Sequence, residues 1–154
     1  MKRAAVILLA ASLALPGCAL TLKPVDLSWS YESVLSAGPD GVVKGEPKTI
    51  AFNAQQLFQE EAGLHKEQPV PVEGKTVRII RNDEGYYFVT SPGFKHVYIF
   101  RGGDAQLKLK NKVLIDEKGM EKPFFNRREK GIELVANGKA YLLNRKGIIP
   151  EVKK

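Results

Sequence analysis

His65 and His96 are the only histidines of this 154-residue chain. A histidine-based metal site needs two or three ligands at a spacing that brings them together, and nothing in the positions of these two does so. His96 alternates with Tyr98 and Phe100, which makes it a packed or interfacial side chain. To act as a general base it would need a carboxylate or hydroxyl within hydrogen-bonding reach. Glu60 and Glu61 are neighbours, but adjacent residues on a helix do not face each other, so both are expected on a polar surface. Ser91-Pro92-Gly93 is a turn with no base placed beside Ser91. Arg101-Gly102-Gly103-Asp104 lacks the helix and lysine of a phosphate loop and reads as a hairpin turn. These sets form no catalytic constellation, and the expectation is a non-enzymatic protein without a metal or cofactor.

Basic residues offer a different chemistry. Lys118, Lys122, Arg127, Arg128 and Lys130 lie on neighbouring turns. Gathered at one end of a sheet they would form an anion patch; the plainer reading is solvated turn residues. Lys95, His96, Tyr98, Phe100 and Arg101 interleave charge with aromatic rings, as single-strand nucleic-acid binders do. The same strip is better read as a core face, and second as a surface for sugar or peptide.

At the N-terminus, Lys2 and Arg3 precede the apolar run from Ala4 to Leu15. A positive start, an apolar core and small residues after it are the parts of a secretory signal. The run is too short to span a bilayer, which takes ~20 residues, although an N-terminal core helix would show the same run. Leu15-Pro16-Gly17-Cys18 contains the chain's single cysteine and resembles the lipobox of bacterial lipoproteins. That resemblance implies lipidation of the Cys18 thiol, cleavage after Gly17, and a mature protein beginning at Cys18. It also implies a membrane anchor, since buried methylenes contribute ~0.8 kcal/mol each and two or three acyl chains hold firmly. Ala19 rather than Asp after the cysteine implies, for a cell with two membranes, transfer to the outer membrane facing the periplasm. Nucleic acid is not an expected partner in that compartment.

A lipidated Cys18 leaves no thiol for a disulfide or redox motif, so the mature chain must be held by packing. Loss of Lys2 and Arg3 from 24 basic residues leaves 22 against 17 acidic ones. A modest positive excess suits anionic headgroups or glycans, or simply a solvated surface.

The elements that would position these residues are mostly strands. Leu27, Trp29 and Tyr31 alternate with polar residues, as do Val77 and Ile79, His96 to Phe100, Leu107 and Leu109, and Val113 and Ile115. Period two means a sheet with one buried face. Tyr86-Tyr87-Phe88-Val89 is apolar on both faces and should be central, whereas Leu107-Lys108-Leu109-Lys110 has the outward lysines of an edge. Gly38-Pro39-Asp40-Gly41, Asn82-Asp83-Glu84-Gly85, Asp116-Glu117-Lys118-Gly119, Arg128-Glu129-Lys130-Gly131 and Asn144-Arg145-Lys146-Gly147 all end in glycine. Such tetrads predict three-residue hairpin loops with a bulge, Arg128 making the fourth the weakest. Asn137-Gly138 predicts a two-residue hairpin. Leu114–Met120 echoes Leu142–Ile148, which reads as two similar hairpins. Asn53 is placed to cap one short helix, with Gln56 completing an approximate capping box and Gly63 ending it.

The expected organisation is a cleaved signal over residues 1–17, a lipidated tether over 18–26, and a single β-rich domain over 27–154. An extended linker at 68–74 would separate a strand-turn-helix portion from a meander beginning near Lys75. The expected fold is mainly β: seven to nine antiparallel strands in a small sandwich or partly open barrel, with one short helix. The expected function is a membrane-anchored envelope lipoprotein with a structural, assembly or protein-interaction role, its partner another envelope protein bound through a sheet edge or loops. The alternative is a binding module for anionic envelope ligands: lipopolysaccharide, peptidoglycan or acidic glycan.

Overall fold

The computed structural model describes residues 31–44, 51–65, 67–103 and 106–150. The lipobox with Gly17 and Cys18, the tether, Leu27, Trp29 and Asp104 lie outside the described residues. The fold is mainly β, with eleven described strands, rather than seven to nine, and one helix. A seven-stranded sheet contains β1 (Ser33–Ala37), β2 (Val42–Lys44), β3 (Ala51–Asn53), β4 (Thr76–Arg81), β5 (Tyr86–Thr90), β6 (His96–Gly103) and β7 (Gln106–Leu114). Its spatial order is β3-β2-β1-β4-β5-β6-β7, antiparallel throughout. A four-stranded sheet follows, formed by β8 (Phe124–Arg128), β9 (Gly131–Ala136), β10 (Lys139–Asn144) and β11 (Gly147–Ile148).

The larger sheet curls into a half-barrel. Phe52 of β3 and Leu107 of β7 line one cleft, although six strand spacings of ~4.8 Å would hold them ~29 Å apart in a flat sheet. Register divides its residues between two faces. Val89, Tyr98 and Ile79 share the inner face, and Phe88, Ile99 and Ile80 the outer one. The four-stranded sheet covers the outer face: the Phe125 N–H donates to Glu32, whose carboxylate pairs with Arg78 at 2.6 Å, and Gly147 packs beside Val113. Both layers feed one buried cluster that includes Leu35, Val77, Phe88, Ile99, Ile132, Leu134 and Leu143.

As expected from their patterns, β5 is interior and β7 is an edge. Tyr31, by contrast, is exposed and precedes β1 without joining a strand. At Asn137-Gly138 both residues take positive φ, 49° and 74°, and Ala136 pairs with Lys139, the geometry of a primed two-residue turn. The Asn82–Gly85 turn closes with the Gly85 N–H on the Asn82 carbonyl at 3.1 Å and the Tyr86 N–H on the Asn82 side chain at 2.8 Å.

Other turns depart from expectation. Arg128–Gly131 and Asn144–Gly147 are two-residue loops, because the flanking residues pair directly. Asp116–Gly119 closes as a turn, with Gly119 N–H on the Asp116 carbonyl at 3.0 Å, yet it joins β7 to β8 across the two sheets and is no hairpin. Of the two echoing segments, therefore, only Leu142–Ile148 is one. Gly119 is required there: a Cβ would stand 2.6 Å from the Gly93 carbonyl oxygen. Arg101, Gly102 and Gly103 do not turn but continue β6, pairing with Lys108, Leu107 and Gln106. The register skips Lys110 opposite Ile99 and Phe100, a bulge that adds local twist to the edge.

Helix α1 (Gln55–Ala62) lies on the inner face, burying Leu57, Phe58 and Gln59, with the Phe58 ring edge-on to Phe94 at 4.9 Å. Its cap differs by one residue from expectation. Ala54 is the capping position, and Asn53 instead accepts the Gln55 N–H at 2.8 Å. Gly63 ends the helix in a left-handed conformation, as expected. The stretch at 68–74 is irregular and tied to the helix by Gln55 Nε2 to the Val70 carbonyl (3.0 Å) and Gln59 Nε2 to the Gln68 carbonyl (2.7 Å). One sheet runs across it, since β1 pairs with β4.

Candidate functional site

Curling without closure leaves an open cleft of about 1260 Å³ inside the half-barrel, between β3, α1 and the β6–β7 edge. Ordinary small-molecule pockets run to ~1,000 Å³. Phe52, Leu57, Tyr87, Phe100, Leu107 and Leu109 give it an apolar lining. Alternation explains how: the inner-face residues of β5, β6 and β7 pair as Tyr87 with Phe100 and Phe100 with Leu109, stacking side chains across three strands.

One end of the cleft is cationic. Arg81 and Arg101 meet over the Asn82–Gly85 turn, their guanidinium nitrogens 3.5 and 3.3 Å from where a Cβ on Gly85 would lie. Each guanidinium lies over a ring, Arg81 at 5.9 Å from the centre of Tyr87 and Arg101 at 4.8 Å from that of Tyr86. The nearby carboxylates serve other cations. Asp83 pairs with Arg127, and Glu84 lies 3.8 Å from Arg145. Arg101 also donates to the Glu84 backbone carbonyl.

The helix end carries the second notable group. Glu61 is no surface residue; its side chain is 8 % exposed. Its carboxylate accepts the Lys95 N–H and the Tyr98 hydroxyl (2.7 Å), and faces His96 Nδ1 at 3.1 Å. Burial first, and then the Glu61 hydrogen bond, hold the Tyr98 phenol well above its ordinary range. The carboxylate that His96 would need as a general base is therefore present. Its two oxygens also fasten α1 to β6, and next to it Lys112 bridges Glu60 at 2.9 Å. Glu60 neighbours Glu61 in sequence but points to a different partner, as expected for adjacent helical residues.

The five basic residues singled out from sequence do not gather. Lys118 and Lys122 flank the Asn137 turn, which holds Asp116 and the Glu121 N–H. Arg127, Arg128 and Lys130 lie toward the other end of β8, where Arg128 pairs with Gly131. Arg127 binds Asp83, and Arg128 holds Glu133 at 2.6 Å. Arg128, followed by Asn126, lowers the Glu133 carboxyl below its usual range. Among the described residues, no group of three or more His, Cys, Asp or Glu is placed to hold a metal.

Of the strip that interleaves charge with aromatic rings, Tyr98, Phe100 and Arg101 line the cleft. Arg81 belongs to no motif; only the Asn82–Gly85 turn, which fixes the end of β4, points toward it. Comparison of the chain with protein-family models, with curated proteins and with solved structures found no match.

Proposed function

We propose that this protein is a non-enzymatic binding component of the bacterial envelope, anchored through a lipidated Cys18 in the outer membrane and facing the periplasm. Its binding surface is the cleft of the half-barrel with the adjoining β7 edge. The anchor rests on the resemblance of Leu15-Pro16-Gly17-Cys18 to a lipobox. The observation that carries the binding role is the open apolar cleft, in which Leu109 is 49 % and Leu64 40 % exposed. Contiguous exposed apolar surface with a polar rim is what interaction sites present. The role of Glu61 as a clasp between α1 and β6 supports a structural rather than catalytic reading of His96.

The test is photo-crosslinking in growing bacteria, with a photoreactive residue placed at Leu64 or Leu109, and at exposed Lys139 on β10 as the control. Discrete adducts at Leu64 and Leu109 that are missing at Lys139 are expected. Adducts at none of the positions, or the same adducts at all three, would overturn the cleft as the binding surface.

A further inference from the structure

We infer that the cleft holds an acyl chain with an acidic head, the head on Arg81 and Arg101 and the chain running along the β6–β7 wall toward α1. This rests on the cleft being the binding surface. The cleft is polar lengthwise. From the paired guanidiniums, the strand passes Phe100 and Leu109 before reaching Tyr98, where the Glu60–Lys112 pair ends the wall. Arg101 to Tyr98 is three strand residues, a span of about 10 Å.

Two features choose an acyl chain over an extended peptide. The lining comes from the face of the sheet, so a ligand lying on it meets side chains and not the backbone groups of a strand edge, and a peptide there would leave its own amides unpaired. Two of the amides that line the cleft are already engaged, Asn53 with the Gln55 N–H and Gln59 with the Gln68 carbonyl. An alkyl chain asks for no hydrogen bonds.

The acidic head follows from the charges. Among the described residues neither Arg81 nor Arg101 pairs with a carboxylate, while Asp83 and Glu84 serve Arg127 and Arg145. Two guanidiniums that meet at Gly85 and both line the cleft offer N–H donors suited to a carboxylate or phosphate. Each guanidinium lies over a tyrosine ring, Arg101 over Tyr86 and Arg81 over Tyr87, which holds it at the rim.

Full-chain protein in phosphatidylcholine nanodiscs would be irradiated with a diazirine-bearing palmitate or with the matching diazirine-bearing alcohol, and the labelled peptides mapped by mass spectrometry. Palmitate should label α1 and β7 residues of the cleft roughly tenfold more than the alcohol, the scale of charge-assisted pairing. An Arg81→Gln/Arg101→Gln variant with an unchanged circular dichroism spectrum should fall to the alcohol's level. Equal labelling of the cleft by acid and alcohol would overturn the acidic head and leave the cleft as a binding surface. Labelling outside the cleft only would overturn the acyl ligand, and the crosslinks from Leu64 and Leu109 in cells would still decide the binding surface independently.

Discussion

At the scale of single residues, Glu61 ties a two-turn helix to a sheet. A buried carboxylate is tolerated when donors surround it, and removing it strands those donors. Glu61→Ala leaves the Tyr98 hydroxyl and Lys95 N–H without their acceptor and is expected to cost about 2–3 kcal/mol. Glu61→Gln, which keeps an acceptor oxygen, should cost less than half as much. Urea denaturation checks both, and equal losses would show that hydrogen bonding is not the cause. The same cluster has a pH signature. Burial, and then the Glu61 hydrogen bond, hold the folded Tyr98 phenol above the ordinary tyrosine value of 10.0, so its contribution to stability is whole below that pH and is lost as pH rises through the folded value. An ultraviolet titration should ionise Tyr86, whose phenol the Arg145 hydrogen bond holds below its ordinary range, well before Tyr98, which ionises only as the fold opens. His96 was legible from sequence as a packed side chain on an aromatic face. Its partner was not, because Glu61 stands 35 residues away and looks like any helical surface acid.

Among the elements, β7 shows how an edge is kept single. Lys108 and Lys110 are exposed, Lys110 sits at the bulge, and Leu109 between them is half-exposed. Outward lysines and a bulge both discourage a second strand from pairing there. Lys108→Thr/Lys110→Thr should therefore associate with rising concentration in light scattering; a variant that stays monomeric would assign the protection to the bulge alone. The alternation of Leu107 and Leu109 with lysine marked this strand in the sequence. β2 and β3 left no such trace, since three residues are too few to display a period. The Asp116–Gly119 turn was legible as a turn because its hydrogen bonds are local, Lys118 N–H to Asp116 Oδ1 among them. That it crosses between sheets depends on the Ser91–Lys95 segment, where Met120 exchanges backbone hydrogen bonds with Gly93 and Phe94.

For the whole molecule, the four-stranded sheet packs on one face of the half-barrel, and the other face is partly filled by α1 and otherwise open. A helix of eight residues is too short to be stable alone or to cover seven strands, and the cleft is the uncovered remainder. If the chain is anchored as proposed, Cys18→Ser should move the protein from the membrane fraction to the soluble one or leave its signal uncleaved, read by fractionation and intact mass. A variant that fractionates and weighs as the wild type, apart from the substituted atoms, would remove the anchor from the account.

The amino-acid sequence by itself determined what acts within a few residues. The period-two strands, the Asn137-Gly138 hairpin, the glycine-ended turns and the limits of α1 follow from local dihedral preferences and side-chain-to-backbone hydrogen bonds. Only the tertiary structure decided which faces meet. Arg127 finds Asp83 44 residues away, and Glu32 reaches Phe125 across 93. Those pairings depend on sheet curvature, the sum of small twists over seven strands. The same curvature brings β3 and β7 to one cleft, and register across β4, β5 and β6 sets Arg81 beside Arg101.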